Sequence, residues 1–524
     1  MAATAPRGAT GPVLVLGEDS RRTSGRDAQT WNITAGKAVA EAVRTTLGPR
    51  GMDKMLVDAS GNVVVTNDGV SILEEMDVEH PAATMLVEVA RTQEDEVGDG
   101  TTTAAVLAGH LLAGAEDLLE SDVHPTAIVE GYAAARDIAL DAVADATVDG
   151  ELDDDRLRAV ARSSMTGKGT GDVSADALAD LVVRAVRQVQ TEDGVPREDV
   201  RVHTQTGASS GATDLVDGVV LDAEPVRESM PRRVEEASVL VFDANLGARE
   251  TEADVAYEVT SVDQLTAAVD AQTAELRDLA DAVVATGADV VFCSKDVDDS
   301  VAAALAKRGV LVFDSLSASD TRAVVSATGA SLARDIADVT DTDLGHADAV
   351  RVESYGDDAL AFVENADATA VTLFARGGTE HVVAELERAL GDATDVVVAA
   401  LDGDGIVPGA GCVELLAADA VHDGAASIDG RAQLAAEAFA DALDVLPRTL
   451  AANAGLDPID ALVSLRAKNE TGRAGVLVDG ETVELADPVE AGVFDPADVK
   501  REAIEAATEA ATMIVRIDDI IAAE

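Results

Sequence analysis

Acidic residues outnumber basic ones by 99 to 39, and they are spread along the whole chain rather than collected in a tail. A net charge of −60 repels itself in a compact fold at ordinary ionic strength. At molar salt the Debye length falls to about 3 Å, so most of this repulsion is screened. Because 47% of the residues are hydrophobic, the chain can still bury a core. The charge therefore predicts a folded, halophilic protein.

The same charge limits the partners that the chain could bind. Only 7 of the 39 basic residues are lysines. Nucleic acid is disfavoured as a partner because phosphate binding needs clustered lysines and arginines. An acidic surface that binds a basic partner remains an alternative to salt adaptation.

Neither apolar runs nor cysteine spacing indicates a membrane, secreted or zinc-binding protein. No stretch of 18 apolar residues occurs, and the N-terminal segment lacks the apolar core of a signal peptide. Cys293 and Cys412 are too few and too far apart for a disulfide framework or a zinc motif. The seven histidines show no metal-binding pair at helical or loop spacing. We therefore expect a cytoplasmic protein with no membrane partner.

Length and periodicity predict several domains, one of them inserted into another. The 524 residues suggest two to four domains at about 150 residues each. Between about 219 and 352, short β-rich runs alternate with helical runs, whereas the chain before and after this region is mainly helical. A long polar helical stretch, at about 251–281, interrupts the β-rich region. The β-rich runs are 239–242, 290–292 and 310–313.

Glycine-containing turns give two local predictions near the N-terminus. Asn67, Asp68 and Gly69 lie between apolar runs and tolerate positive φ, which favours a β-hairpin at this point. Gly48 and Pro49 follow an apolar helical stripe, which predicts that the helix ends at Gly48.

Asp99 lies between two glycines, and three threonines follow at 101–103. Backbone N–H groups and hydroxyls at the start of the next helix can bind phosphate oxygens. The Asp99 carboxylate can hold Mg²⁺, which prefers oxygen ligands. The alternative is a Gly-Asp turn with a threonine N-cap, and the motif by itself favours this alternative.

Two further glycine-rich turns, at 48–51 and 409–411, could let the backbone approach a nucleotide, although most such turns only end a helix. The Walker pattern is missing, because the Gly-Lys pairs at 36–37 and 167–168 are followed by alanine and glycine. The sequence therefore excludes a P-loop ATPase.

Three charged residues are candidates for phosphoryl-transfer chemistry. Asp68 and Asp392 could orient an attacking water, since this reaction depends on positioning and charge stabilisation. From residue type alone, Asp392 is more typical of a solvated surface charge. Lys168, between two glycines, could contact a γ-phosphate as a point charge, or it could be a surface loop lysine.

Seven segments, in order along nearly the whole chain, carry a family resemblance. They are 43–55 (Val-Arg-Thr-Thr-Leu-Gly-Pro-Arg-Gly-Met-Asp-Lys-Met), 66–69 (Thr-Asn-Asp-Gly), 79–83 (Glu-His-Pro-Ala-Ala), 98–103 (Gly-Asp-Gly-Thr-Thr-Thr), 376–381 (Arg-Gly-Gly-Thr-Glu-His), 439–443 (Phe-Ala-Asp-Ala-Leu) and 453–458 (Asn-Ala-Gly-Leu-Asp-Pro). Together they resemble the group II chaperonins, the thermosome-like family of archaea and the eukaryotic cytosol.

The resemblance implies a site for ATP and Mg²⁺. Asp99 would ligate Mg²⁺. Asp68 and Asp392 would align the hydrolytic water, and Lys168 would report the γ-phosphate. The other residues implied to bind the nucleotide are Thr46, Leu47, Gly48, Pro49, Asn67, Gly69, Gly100, Thr101, Thr102, Thr103, Gly411 and Asp495.

It also implies an α+β multidomain fold with three domains. The implied boundaries are 1–144 and 401–524 for a mainly helical equatorial ATPase domain, 145–214 and 366–400 for a small intermediate domain, and 215–365 for an inserted α/β apical domain. The stretch at about 251–281 would be a helical protrusion that closes the ring.

The implied function is an ATP-dependent chaperone subunit that binds non-native polypeptides and assists their folding in a closed double ring. The ring would contain copies of this chain and paralogous subunits. A ring scaffold or holdase with little ATP turnover is the alternative, and a metabolic kinase is a more distant one. The chain departs from the family pattern at Ala410, which stands within the usual triple glycine, and at Ala452, where glutamate is usual.

Overall fold

The structure is a computed structural model that describes residues 21–522, except 58–60, 62, 170, 248–261, 357 and 471. The chain divides into two compact units. Unit 1 contains the described residues of Met1–Thr147, Val407–Ala491 and Val499–Glu524, and unit 2 contains those of Val148–Ile406 and Gly492–Asp498. Both ends of the chain therefore contribute to unit 1.

Sixteen helices occur in the described residues. They are α1 (Arg26–Arg44), α2 (Gly69–Glu75), α3 (Pro81–Val97), α4 (Thr101–Glu120), α5 (Pro125–Asp145), α6 (Asp154–Met165), α7 (Ala175–Val189), α8 (Val262–Ala285), α9 (Asp299–Ala306), α10 (Ala318–Thr328), α11 (Glu380–Asp402), α12 (Cys412–Ala425), α13 (Ala432–Leu443), α14 (Val445–Asn453), α15 (Pro458–Asn469) and α16 (Ala497–Val515).

Eighteen strands occur in the same residues. They are β1 (Arg21–Ser24), β2 (Lys54–Val57), β3 (Val63–Thr66), β4 (Val200–Thr206), β5 (Asp214–Val216), β6 (Gly218–Asp222), β7 (Arg233–Phe242), β8 (Val290–Cys293), β9 (Leu311–Phe313), β10 (Leu332–Ala333), β11 (Gly345–Tyr355), β12 (Asp358–Glu364), β13 (Val371–Gly377), β14 (Ile406–Pro408), β15 (Gly475–Asp479), β16 (Thr482–Ala486), β17 (Phe494–Pro496) and β18 (Asp519–Ala522).

Helix α4 is the central element of unit 1. Its residues 104–109 are all buried, so this part of the helix is covered on every side. Such burial is expected for a helix whose side chains are apolar on all faces. Helices α1, α3 and α13 pack against it, and α5 packs against α12 and α13. The Tyr132 hydroxyl donates a hydrogen bond of 2.6 Å to the Leu111 carbonyl, and its ring meets that of Phe439 edge-on.

Helices α1 and α4 run antiparallel, which fixes the position of the loop that follows α1. Arg26 near the start of α1 pairs with Asp122 just beyond the end of α4. Farther along, Lys37 pairs with Glu116 at 2.7 Å. The last turn of α1 therefore lies at the N-terminal end of α4, where the threonines begin.

The two ends of the chain pair within unit 1. Strands β1 and β18 are antiparallel, with Arg21 opposite Ala522 and Ser24 opposite Asp519. Strands β2 and β3 form a separate antiparallel pair.

Unit 2 contains a mixed seven-stranded sheet with the order β6-β12-β11-β7-β8-β9, and β10 pairs with β7 off this path. The three β-rich runs of the sequence are confirmed, because they form β7, β8 and β9 as parallel neighbours. Their side chains are buried, and the Phe292 and Phe313 rings stack with centroids 4.9 Å apart. Helices α8, α9 and α10 contribute to the same core.

A second sheet of unit 2 has three strands in the order β4-β13-β5. Helix α11 packs on β4 and β13, and it also contacts α6 and α7. Asp392 lies in α11, and Lys168 lies in the turn that follows α6. The polar stretch at about 251–281 is helical from Val262, in α8, while residues 251–261 lie outside the described residues.

Two local predictions are wrong. The turn at 67–69 is not a hairpin, because β3 leads into α2 and the Asp68 side chain caps that helix. Asp is a strong N-cap as well as a turn residue, and here the cap prevails. Helix α1 ends at Arg44 with Thr45 as its C-cap, so Gly48 lies in the loop beyond rather than at the helix end. Within the described residues, no helix is both long enough and apolar enough to cross a bilayer.

Candidate functional site

Asp68 is held by two short-range hydrogen bonds at the start of α2. Its carboxylate accepts a bond of 2.9 Å from the backbone N–H of Ser71. Its own backbone N–H donates to the Thr66 hydroxyl at 3.1 Å. One carboxylate oxygen is thus used as a cap while the side chain remains half-buried, close to the end of β3.

Asp99 is held in a similar local way at the start of α4. Its Oδ1 accepts a bond of 2.7 Å from the Gly100 N–H, and Gly100 has φ of 85°, a left-handed conformation that favours glycine. Gln93, which is fully buried, donates from Nε2 to the Asp99 carbonyl at 2.8 Å. The threonine motif therefore begins α4, as predicted, with the Asp99 carboxylate beside the positive end of the helix.

Gly69 brings these two motifs together. A Cβ at Gly69 would lie 3.0 Å from the Thr101 hydroxyl and 3.0 Å from the Thr102 backbone nitrogen, and nearer still to the Thr102 hydroxyl. The residue after Asp68 therefore packs directly on the N-terminus of α4. Two segments separated by some thirty residues thus form one polar surface of backbone N–H groups, hydroxyls and carboxylates.

The loop after α1 is tied to the second half of unit 1. The Asn453 side-chain amide donates to the Leu47 carbonyl at 2.8 Å and to the Arg44 carbonyl at 3.2 Å. Thr46 is buried, and its hydroxyl donates to the Val43 carbonyl at 2.8 Å. Because α1 and α4 are antiparallel, this loop lies at the same end of α4 as the threonines.

Gly48 and Gly411 meet on one side chain, although they are 363 positions apart. Both have left-handed φ, 86° and 79°. A Cβ on Gly411 would lie 3.1 Å from Leu450 Cδ1, and one on Gly48 would overlap Leu450 Cδ2. Close packing on Leu450 thus explains both glycines. The neighbouring residue Ala410 is also left-handed, with φ of 58°, where a Cβ is disfavoured.

Arg44 is occupied by a local partner. Its guanidinium forms two hydrogen bonds of 2.8 Å with Glu41, one turn earlier in α1. This contact holds the pKa of Glu41 below its ordinary value and raises that of Arg44. The positive charge at the end of α1 is therefore partly balanced before any anion binds.

Lys168 and Asp392 form an ion pair within unit 2. Lys168 follows α6 in a turn that contains left-handed Gly167, and Asp392 lies in the middle of α11. Asp392 is only 8% exposed. The expectation of a solvated surface aspartate is therefore wrong, and burial of a carboxylate is tolerated here because a cation contacts it.

The structure thus places the predicted site residues in two groups. Those of unit 1 are Thr46, Leu47, Gly48, Pro49, Asn67, Asp68, Gly69, Asp99, Gly100, Thr101, Thr102, Thr103 and Gly411. Those of unit 2 are Lys168, Asp392 and Asp495, the last in β17. Gln93 and Leu450 position site residues and were missed, since a buried glutamine or leucine inside a helix carries no local signal of such a role.

The residues of unit 1 fit a magnesium nucleotide. Phosphate oxygens need N–H and hydroxyl donors, and the start of α4 supplies both. Mg²⁺ is held through one or two carboxylates together with substrate phosphates, and Asp99 and Asp68 are carboxylates beside that helix start. The Thr45 hydroxyl, next to the loop, is buried without a hydrogen-bond partner among the described residues.

Comparison with known proteins gives a consistent result. The family model of the TCP-1/cpn60 chaperonin family matches residues 39–524. Thermosome subunit 3 of Haloferax volcanii is 64% identical over 517 residues, which cover 98% of this chain and 99% of that protein. Thermosome subunit alpha of Halobacterium salinarum is 49% identical over 514 residues, which cover 98% of this chain and 91% of that protein.

Both the extent of these matches and the fold agree with the resemblance seen in the motifs. The predicted family, the α+β multidomain fold class and the ATP-dependent chaperone function are confirmed. The alternative of a ring scaffold or holdase with little ATP turnover is not favoured. The chain belongs to the TCP-1/cpn60 chaperonin family and is a haloarchaeal-like group II chaperonin, an ATP-dependent chaperone that hydrolyses ATP.

Proposed function

We propose that the polar surface formed by the Asp68 turn and the start of α4 binds the phosphates of ATP and powers protein folding. The observation that carries this proposal is the packing of Gly69 on Thr101 and Thr102, because it joins two carboxylates to a helix N-terminus. Asp99 would hold Mg²⁺, which would supply positive charge to offset the charge on the phosphate oxygens.

The chain's own residues then have distinct tasks. Thr101, Thr102, Thr103 and the Gly100 N–H donate to phosphate oxygens. The remaining nucleotide contacts come from Thr46, Leu47, Gly48, Pro49, Asn67, Gly69, Gly411 and Asp495. Gly48 and Gly411 keep the loops close to Leu450, which supports their assignment to one pocket.

Asp68 and Asp392 orient the attacking water by accepting its hydrogen bonds, so that its oxygen faces the γ-phosphorus. Asp392 is engaged by Lys168 in this structure. A γ-phosphate carries more negative charge than a carboxylate and competes for the same ammonium group. Lys168 therefore reports the γ-phosphate by exchanging partners, and this exchange biases the open and closed states of the ring.

The domain assignment is part of the same proposal. Residues 1–144 and 401–524 form the equatorial ATPase domain, which is supported by the presence of both chain ends in unit 1. Residues 145–214 and 366–400 form the intermediate domain, and 215–365 form the apical domain. The stretch at about 251–281 forms the helical protrusion, and its described part, from Val262, lies in α8.

The partners are non-native polypeptides and other subunits of the ring. Apolar surface of the apical domain binds the unfolded chain, and closure of the ring releases it into an acidic chamber. The ring contains copies of this chain and paralogous subunits in the cytoplasm. The names of three distinct thermosome subunits in Haloferax volcanii support the presence of paralogues.

ATP hydrolysis in molar KCl tests the site. We expect Asp392→Ala to reduce turnover by at least about 100-fold, the range seen when a group that assists proton transfer or water positioning is lost. Asp99→Asn should raise the Mg²⁺ concentration needed for half-maximal turnover. Glu387→Ala is the matched control, since Glu387 is an exposed carboxylate on the same helix and should leave turnover unchanged.

Particle images of the same preparations, with and without ATP, test the assembly. Wild-type double rings should close when ATP is added. Double rings of Asp392→Ala should stay in one state, open or closed, and should not cycle. These two results together support the mechanism. Normal turnover in Asp392→Ala would remove that residue from the reaction, and monomeric particles in every condition would contradict the ring.

A further inference from the structure

A second group of ligand-type side chains lies in unit 1, at the opposite end of α12 from Gly411. His422 is in the last turn of α12, eleven residues beyond Gly411, which corresponds to roughly 16 Å along a helix. Asp441 is near the end of α13, and Asp444 lies at the junction of α13 and α14. The proposed ATP site uses none of these three side chains.

The three side chains point at one another. His422 Nε2 is 3.7 Å from Asp441 Oδ1. One ligand atom from each of His422, Asp441 and Asp444 lies within 4.8 Å of the other two. Three segments of the chain therefore bring an imidazole and two carboxylates into reach of one common point.

Asp444 supplies a second, independent observation. Its side chain is 95% buried, and its Oδ2 accepts a hydrogen bond from Arg466. Its Oδ1 is buried and has no hydrogen-bond partner among the described residues. A buried carboxylate oxygen without a partner loses its hydration and gains nothing in return, which costs more than a solvated or bonded one. The Asp444 Oδ1 atom is therefore able to donate an electron pair to a bound cation.

The local charge favours a cation. Arg466 bonds to Asp444, and its Nε is 3.6 Å from Asp419 Oδ1. Arg466 thus contacts two carboxylates, and the Asp441 carboxylate lies beside that of Asp444. These three carboxylates and one guanidinium leave a net charge of −2 when His422 is neutral. A divalent ion would balance this charge.

We propose that His422, Asp441 and Asp444 bind one divalent transition-metal ion, with Zn²⁺ the best match. Imidazole nitrogen is a ligand that zinc accepts readily, whereas Mg²⁺ and Ca²⁺ prefer sites made wholly of oxygen. Three protein ligands leave a fourth tetrahedral position for water. The ion would connect α12, α13 and the start of α14.

The required movement is small. Bonds of about 2.0–2.2 Å to one tetrahedral ion place the ligand atoms roughly 3.4 Å apart. Asp441 is 77% exposed and His422 is 37% exposed, so both side chains can rotate, while buried Asp444 provides the fixed ligand. Closure of the site therefore needs rotation of these two side chains toward the Asp444 carboxylate.

The test uses the full-length protein, treated with a chelator and then titrated with Co²⁺ in molar KCl. Co²⁺ stands in for Zn²⁺ because its visible absorption reports nitrogen and oxygen ligands directly. We expect one Co²⁺ per chain with a saturable visible band, displaced by Zn²⁺. His422→Gln and Asp441→Asn should each weaken binding by at least about 10-fold, and His422→Gln should also change the spectrum.

Asp429→Asn is the control, since Asp429 is exposed between α12 and α13 and carries the same charge. It should bind Co²⁺ like the wild type. A Zn²⁺-dependent rise in melting temperature should occur in the wild type and in Asp429→Asn and be lost in His422→Gln. Equal binding by wild type and His422→Gln, or a titration without saturation, would mean diffuse association with the acidic surface and would overturn the proposal.

Discussion

Asp68 in unit 1 and Asp392 in unit 2 are both proposed to act on the hydrolytic water, and they are held in different ways. Asp68 bonds to a backbone N–H three residues away, so its position follows from the local chain. Asp392 contacts Lys168, which is 224 residues earlier in the sequence. A local cap is a modest and independent contribution to stability, whereas a buried ion pair makes each partner depend on the other.

The largest expected effect comes from removing one member of the ion pair. Lys168→Met should lower the free energy of unfolding of unit 2 by about 3 kcal/mol, because a buried carboxylate loses the cation that offsets its desolvation. Denaturant unfolding in molar KCl measures this change. Lys295→Met is the control, since Lys295 is an exposed lysine of the same unit. An equal, small shift in both variants would mean that the pair contributes no more than a surface charge.

The double variant Lys168→Met with Asp392→Leu sharpens the comparison. Replacing both charges with apolar groups should recover about 2 kcal/mol relative to Lys168→Met alone, because no uncompensated charge remains. ATP hydrolysis should not recover, since the proposed contact with water is gone. Recovery of hydrolysis together with stability would show that the pair serves only the fold.

A smaller effect is expected at Asp68. Asp68→Ala should cost about 1 kcal/mol through loss of the α2 cap, whereas Asp68→Asn should keep the cap, because asparagine is as good an N-cap. Both variants should lose ATP hydrolysis, by at least about 100-fold. Asp457→Ala, which removes the cap of α15, should cost a similar free energy and leave hydrolysis unchanged. Full activity in Asp68→Asn would contradict the proposed role.

The smallest effect on stability is expected at Ala410 in unit 1. A left-handed alanine costs about 1 kcal/mol or more, and glycine removes this strain but loses more entropy on folding. Ala410→Gly should therefore raise the free energy of unfolding by roughly 0.5 kcal/mol. Ala454→Gly, in a right-handed position, should lower it. A loss of stability in Ala410→Gly would indicate that the methyl group contributes to packing.

The difference between local and long-range contacts also explains how far the sequence alone could predict the structure. The threonine-led start of α4 and the strands β7 to β9 were predictable, because their signals lie in neighbouring residues. The hairpin at 67–69 was not, since Asp68 suits both a turn and a cap and only the hydrogen bond to Ser71 decides. The burial of Asp392 depends on packing between α6 and α11, for which the sequence around it carries no pattern.

In the candidate site, too, the local features could be predicted and the long-range contacts could not. The residue types around Asp99 and Asp68 indicated phosphate chemistry, but their proximity depends on the contact of Gly69 with Thr102. The group of His422, Asp441 and Asp444 comes from three segments without metal-binding spacing, so a search of histidine spacings could not find it. The three side chains come together only through the packing of α12 against α13.

The pairing of β1 with β18 determines the order in which the chain can fold during synthesis. Ser24 pairs with Asp519, 495 residues later, so this strand pair of unit 1 cannot form until residues 519–522 have been synthesised. Residues 148–406 of unit 2 emerge much earlier, and domains generally fold as units when their chain is available. Until residues 412–443 have been synthesised, the face of α5 that packs on α12 and α13 therefore has no partner from its own chain. Synthesis of the second part of unit 1, rather than completion of the insert, sets when a subunit becomes competent to join a ring.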